Sequence, residues 1–405
     1  MNNNWLSGAK ISRFLINSCP ALVDWLLMLV SFAVLYRAGQ QHFTLNQCAW
    51  LAGMWSLFYM LTSLGVGFFI SRRNARPILL VSTVFTVAAS VFCLFFVQFR
   101  TLLIGMAMIG IFTSFFFNSF QAFMRGESAP GNLMKTVGIY TLSWSMGSAM
   151  GLISSGYFFS FGVYTLIILS LLIGLTIIIA ILLHKRRPLD EISSEEHVES
   201  GVADARPVNP RYIWVGWIII FTAMFVQKPL MTFFPSICAA EGISSFTASL
   251  PLFLNFTVQA LFGLAMFKFR KALYRRFPFV VIHLLAAVLF FAVWKWPTLG
   301  VSFVVFSLLG IYLGFAYFCS VYYSSNSGKR VFNVGINEFL VGTACLMGLF
   351  VSEWWIRYNA DVASMYAVCG VMLVISTVVQ FILVAPGTGK EKKDLHNLHN
   401  MQNPS

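Results

Sequence analysis

The sequence predicts an all-α membrane protein of twelve transmembrane helices, arranged as two related six-helix bundles. Three observations predict it. Charged residues are only 10% of the 405-residue chain and apolar ones 58%, whereas a water-soluble domain is about 25% charged. Twelve apolar runs approach the roughly 20 residues that a helix needs to cross a bilayer. One long polar segment divides those runs six and six.

The first six runs lie near 14–36, 45–70, 77–97, 101–124, 135–159 and 162–184. The opening MNNNWLSGAKISRF enters the first without a small-residue cleavage site, so it reads as an uncleaved first helix. The polar segment HKRRPLDEISSEEHVESGVADARPVNPR passes from basic to acidic and ends among prolines, the composition of a flexible linker. The last six runs lie near 212–237, 245–268, 277–294, 299–323, 331–356 and 362–385. The expected organisation is therefore an N-terminal bundle over 1–183, a linker over 184–211, a C-terminal bundle over 212–386 and a polar tail over 387–405.

With the N-terminus in the cytoplasm, all but five of the 27 Lys and Arg fall in cytoplasmic segments; the five are Arg37, Arg100, Lys228, Lys295 and Arg357. Positive charge is held on that side during insertion. The bias orients the chain with both termini inside, and a bacterial cytoplasmic membrane is the expected location. The net charge of +13 then marks topology, not a nucleic-acid surface. The seven cysteines are scattered without a CxxC pair, so neither a disulfide framework nor a zinc site is expected. His396 and His399 belong to the polar tail. No metal and no cofactor are expected. The absence of GxxxxGK[ST] argues against direct ATP driving.

The two bundles echo each other. KTVGIY at 135–140 opens the fifth run, and KR at 329–330 followed by VGIN at 334–337 opens the eleventh; Gly138 and Gly335 are 197 positions apart. SRR at 71–73 and FRK at 269–271 repeat at nearly the same offset. Two such echoes around a central linker indicate an internal duplication, an arrangement that secondary transporters use.

The chain resembles the major facilitator superfamily over all but its linker and tails. GFFISRRNARPILL at 67–80 is similar to the family's loop between spans two and three, with Gly67, Phe69, Arg72, Asn74, Arg76 and Leu79 in kind and Ser71 where the pattern has Asp; Arg73 is a further basic residue of this expected gating loop. Asn74 is expected to supply a left-handed turn residue in place of Gly. In the fifth span, Gly138, Gly147, Gly151 and Gly156 hold the spacing of the antiporter pattern G-x8-G-x3-G-P-x2-G-G, with Leu152 for its proline and Ser155 for a glycine. Small residues there let helices pack closely. Met106 stands where many proton-coupled relatives carry an arginine, so a proton mechanism would need other groups. The resemblance implies a secondary transporter working by alternating access, a small-molecule cargo, and a monomer in a lipid bilayer.

Three ionisable residues interrupt the apolar runs. Asp24 lies within ALVDWLLMLVSFAVL, Lys228 within FVQKPLMTFFP and Glu338 within VGINEFLVG. A charge near a span centre costs about 2.5–3.5 kcal/mol on insertion scales, so it should face an interior or a watery cavity. The resemblance places spans one, seven and eleven along the central pathway. Asp24 is then a candidate proton carrier with Lys228 as its ion-pair partner, and Glu338 a second proton or substrate site. Each also has a structural alternative. Asp24 can lock helices through amide partners, Lys228 can snorkel outward, and Glu338 can pair with Lys329, Arg330 or a loop arginine. Asn118, Gln121, Tyr140, Trp144, Gln227, Asn255, Gln259, Tyr312 and Asn337 are the expected cavity lining. Short outer loops with few acidic residues argue against a membrane enzyme. Proton-coupled export of a drug-like or amphipathic metabolite is the leading expectation. Uptake of a sugar, organic acid or other nutrient is the alternative.

Overall fold

A computed structural model describes residues 3–66, 69–70, 74–125, 133–184, 211–269, 273–325 and 330–384. Gly67, Arg72, Arg73, the body of the linker and the C-terminal tail lie outside the described residues. The described residues include twelve α-helices. They are α1 (Asn3–Gln40), α2 (Leu45–Val66), α3 (Ala75–Phe95), α4 (Phe99–Arg125), α5 (Leu133–Phe158) and α6 (Val163–Leu183), then α7 (Arg211–Ala240), α8 (Ser245–Ala265), α9 (Arg276–Lys295), α10 (Leu299–Ser325), α11 (Arg330–Asn359) and α12 (Ser364–Leu383).

Eleven of these are long and apolar enough to cross a membrane; α5 falls short. The reason is its content of glycine, serine and threonine. It packs against α1 and α8, where small residues serve better than large apolar ones. The lipid-facing surface belongs largely to α3, α6, α9 and α12, which expose Val84, Leu172, Val288 and Val378 among others.

The duplication is visible in the packing. α1 packs on α5 as α7 does on α11, α2 on α4 as α8 on α10, and α3 on α6 as α9 on α12. The halves meet along three seams: α1 with α7, α5 with α8, and α2 with α11. The turns repeat too. Phe43 N donates to Ala38 O at 2.9 Å around His42 (φ 58°), and Ile243 N to Cys238 O at 2.9 Å around Gly242 (φ 76°). These are helix ends closed by a left-handed residue, 200 positions apart. The next helices start on matching caps: Gln47 N donates to Thr44 Oγ1 and Thr247 N to Ser244 Oγ, both at 3.2 Å.

Close approaches set the register between the repeats. A Cβ on Gly151 would stand 2.5 Å from Trp25 O, and one on Gly348 would overlap Phe225 O. Gly151 and Gly348 are 197 apart, the offset of Gly138 and Gly335; Trp25 and Phe225 are 200 apart. A Cβ on Gly110 would likewise overlap Trp55 O, and one on Gly310 Asn255 O, again 200 apart. Of the other fifth-span glycines, Gly147 lies under Ala21 O on α1, Gly156 against Ser249 on α8, and Gly138 faces Leu264 O at 3.4 Å. α5 is thus fitted to both halves by its glycines.

One expectation about the α2–α3 turn is revised. Asn74 is right-handed (φ −97°), not left-handed. It braces the turn through its side chain, whose Nδ2 donates to Phe69 O at 2.8 Å. Arg76 caps the end of α6, donating to Leu182 O at 2.8 Å.

Candidate functional site

A cavity of about 1220 Å³, including its open mouth, lies between the halves. Its wall is mostly apolar and aromatic: Met28, Trp55, Met106, Phe117, Tyr140, Trp144, Met224, Phe256 and Tyr317 contribute. Asp24, Lys228 and Glu338 all line it. The sequence marks these three because charge is costly in an apolar helix. Folding brings all three into the wall of this cavity.

Their surroundings differ. Asp24, on α1, is 7% exposed, and its Oδ2 has no hydrogen-bond partner. Glu338, on α11, accepts from Tyr59 Oη at 2.5 Å and from Gln121 Nε2 at 3.0 Å. Both donors belong to the first half, so these two bonds cross between halves. Lys228, on α7, lies over the Trp55 ring with Nζ 4.3 Å from the centroid, a cation–π contact that partly offsets desolvation.

The expected Asp24–Lys228 ion pair is not formed among the described residues, whose one salt bridge is Arg357–Glu353 at 3.5 Å. Repeat register sets Asp24 and Lys228 at different depths. With α1 and α7 offset by 200 at the Trp25 and Phe225 contacts, the counterpart of Asp24 is Met224 and that of Lys228 is Met28. All four line the cavity. The two charges are therefore one helical turn out of step, about 5.4 Å in depth, on different helices. The described partners of Glu338 are Tyr59 and Gln121. Lys329 and the side chain of Arg330 lie outside the described residues.

Of the other residues expected to line the cavity, Tyr140, Trp144, Gln227 and Asn337 do so. Gln227 accepts from Tyr317 Oη at 2.7 Å and donates to Gln259 Oε1 at 2.9 Å; Gln259 in turn donates to Ser145 Oγ at 2.9 Å. Asn337 accepts from Ser320. Five expected residues stand behind the wall instead. Gln121 is spent on Glu338, and Gln259 on Gln227 and Ser145. Asn255 donates to Phe306 O at 2.7 Å, and Asn118 to Ser114 O at 2.9 Å. Tyr312 packs edge-on against His283 at 5.1 Å. The four amides meet neighbouring partners before they reach the cavity, whereas the Tyr312 hydroxyl has no hydrogen-bond partner among the described residues. Among the wall residues that escape the sequence reading, two touch its charged groups: Trp55 and Tyr59, stacked one turn apart on α2 with centroids 5.1 Å apart. Their four-residue spacing, the same as Tyr140 and Trp144, is the available signal.

Twelve helices in two repeats around a central cavity match what is known of one family. Its sequence model, Major Facilitator Superfamily, matches residues 14–330. The chain belongs to the Major Facilitator Superfamily. As a member, it is a multi-pass membrane transporter of small molecules and not an enzyme. Among solved structures, the crystal structure of the human organic anion transporter MFSD10 (TETRAN) is similar, with a TM-score of 0.66 and 14% identity over 95% of this chain and 100% of that one. That likeness to a Major Facilitator Superfamily transporter is one of fold. No curated protein matches the chain.

Proposed function

We propose that the protein is a proton-coupled exporter of a drug-like or amphipathic metabolite in a bacterial cytoplasmic membrane, both termini inside. One observation carries the proton: Asp24 is buried, faces the cavity and has an oxygen without a hydrogen-bond partner. A carboxylate so placed bears an uncompensated cost, which it sheds by taking a proton or by meeting a cationic cargo. Those two events are mutually exclusive at one carboxylate, which is the logic of exchange. Glu338 is the second carboxyl facing the same space. Tyr59, Tyr140, Lys228, Tyr317 and Cys345 are the other ionisable groups in its wall. The apolar and aromatic lining suits an amphipathic cargo.

The test uses everted, energised vesicles with a lumenal pH dye and a panel of drugs and metabolites. Wild type releases protons when its substrate is added, and Asp24→Asn, correctly inserted, does not. Normal substrate-triggered release by Asp24→Asn removes Asp24 from the role. Uptake of a sugar, organic acid or other nutrient is the second reading. It rests on Met106, which lines the cavity where coupled relatives are expected to carry arginine.

A further inference from the structure

The cavity holds an acid and a base that do not satisfy each other. Lys228 makes no hydrogen bond or ion pair among the described residues; its contact is the Trp55 ring. Asp24 has an oxygen without a partner and is more than nine-tenths buried. Opposite charges in one apolar cavity ordinarily find each other, because pairing offsets desolvation. Here no such pair forms among the described residues, and the repeat register sets the two at different depths. Lys228 is one turn nearer the α1/α2 end of the molecule than Asp24, on another helix, and a methionine stands at each position that would bring them level.

We propose that the cargo is a zwitterion with an apolar body, its ammonium end at Asp24 and its anionic end at Lys228. This rests on the transporter reading and names the substrate class of that site. Each end of such a molecule supplies what one wall lacks: donors for the free carboxylate oxygen, and an anion for the ammonium over Trp55. The body between them meets Met28, Trp144, Met224 and Tyr317. A purely cationic cargo leaves Lys228 uncompensated, and a purely anionic cargo leaves Asp24 so. Glu338 does not compete for the ammonium on equal terms, because Tyr59 and Gln121 already donate to it.

The test is binding, which does not depend on proton coupling. Purified full-length protein is titrated with phenylalanine, diphenylalanine and triphenylalanine, whose terminal charges are progressively farther apart. Each is compared with its C-terminal amide, a cation, and its N-acetyl form, an anion. Thermal shift and tryptophan quenching report binding. At least one parent zwitterion is expected to bind about ten- to a hundredfold tighter than both of its blocked forms, the worth of a charge-assisted contact. Asp24→Asn abolishes the preference for the free amine alone. Lys228→Gln abolishes the preference for the free carboxylate alone, and Lys228→Arg restores it. Monodispersity on size exclusion shows that each variant is folded. The proposal is overturned if no parent binds tighter than both of its blocked forms, or if all three parents fail to bind folded wild type. A protein that shows this selectivity without releasing protons in vesicles keeps the zwitterion site and loses the exporter reading.

Discussion

Tyr59 is a small side-chain feature with a large reach. Its hydroxyl holds Glu338 across the seam between halves, while its ring stacks on Trp55, which in turn carries Lys228. Tyr59→Phe keeps the stack and removes the donor. Leaving a buried acceptor without its donor costs about 1–3 kcal/mol, so a lowered melting temperature is expected in this conformation, with less change in Tyr59→Phe/Glu338→Gln than the two singles sum to. Additive losses would show that the two residues are not coupled. At this scale the sequence was legible where chemistry is conspicuous. Asp24, Lys228 and Glu338 stand out as charges in apolar runs, and all three reach the cavity. Their partners were not legible, because a partner depends on how far one helix slides along another. Trp55 and Tyr59 were hidden for a different reason: aromatics are 16% of the chain, and most of them pack or face lipid.

Among the elements, α5 is the one whose composition looks wrong for a membrane and right for its place. Its glycines bring backbone against backbone on α1, and against α8 across the seam. A side chain at Gly151 would meet Trp25 O and Met28 Cβ at 2.5 and 2.8 Å, beside the turn that carries Asp24. Gly151→Val is expected to insert, to lose about 1–3 kcal/mol through overpacking, and to lose transport. Gly300→Ala is the control, since nothing lies within 4 Å of the added Cβ; its melting temperature and transport should match wild type. Helix positions could be read from apolar runs, and the close-packed face of α5 from the glycine spacing. The turn chemistry at Asn74 could not, since Asn serves a turn equally well through φ or through its amide.

At the scale of the whole molecule, the three seams are drawn together at the end where α1 turns into α2 and α7 into α8. Tyr36 Oη donates to Ile243 O at 2.7 Å, Ser245 Oγ to Gly156 O at 2.8 Å, and Trp50 meets Phe350 edge-on at 4.8 Å. By the distribution of basic residues, that end is expected to face away from the cytoplasm. All seven native cysteines are buried, but Cys345 lines the cavity, so a single introduced thiol is read in a Cys345→Ser background. Asn337→Cys is expected to react with a membrane-impermeant maleimide applied from the cytoplasmic face and to resist it from the other. Equal reaction from the outer face would mean that the seams do not seal that end.

The half-turn that relates the two bundles leaves depth in the membrane unchanged, because in parallel repeats of this kind the axis runs along the membrane normal. Moving the acid to its mirror position and the base to its own, as Asp24→Met, Met28→Lys, Met224→Asp and Lys228→Met together, therefore spins the charge pattern without inverting it. The quadruple variant should prefer the same compounds in the same rank order in a binding titration, while its cargo lies rotated between the walls. Which end of a molecule leads through the membrane would then be a property of height alone, written into four methionine-or-charge positions and indifferent to which half of the gene encodes them.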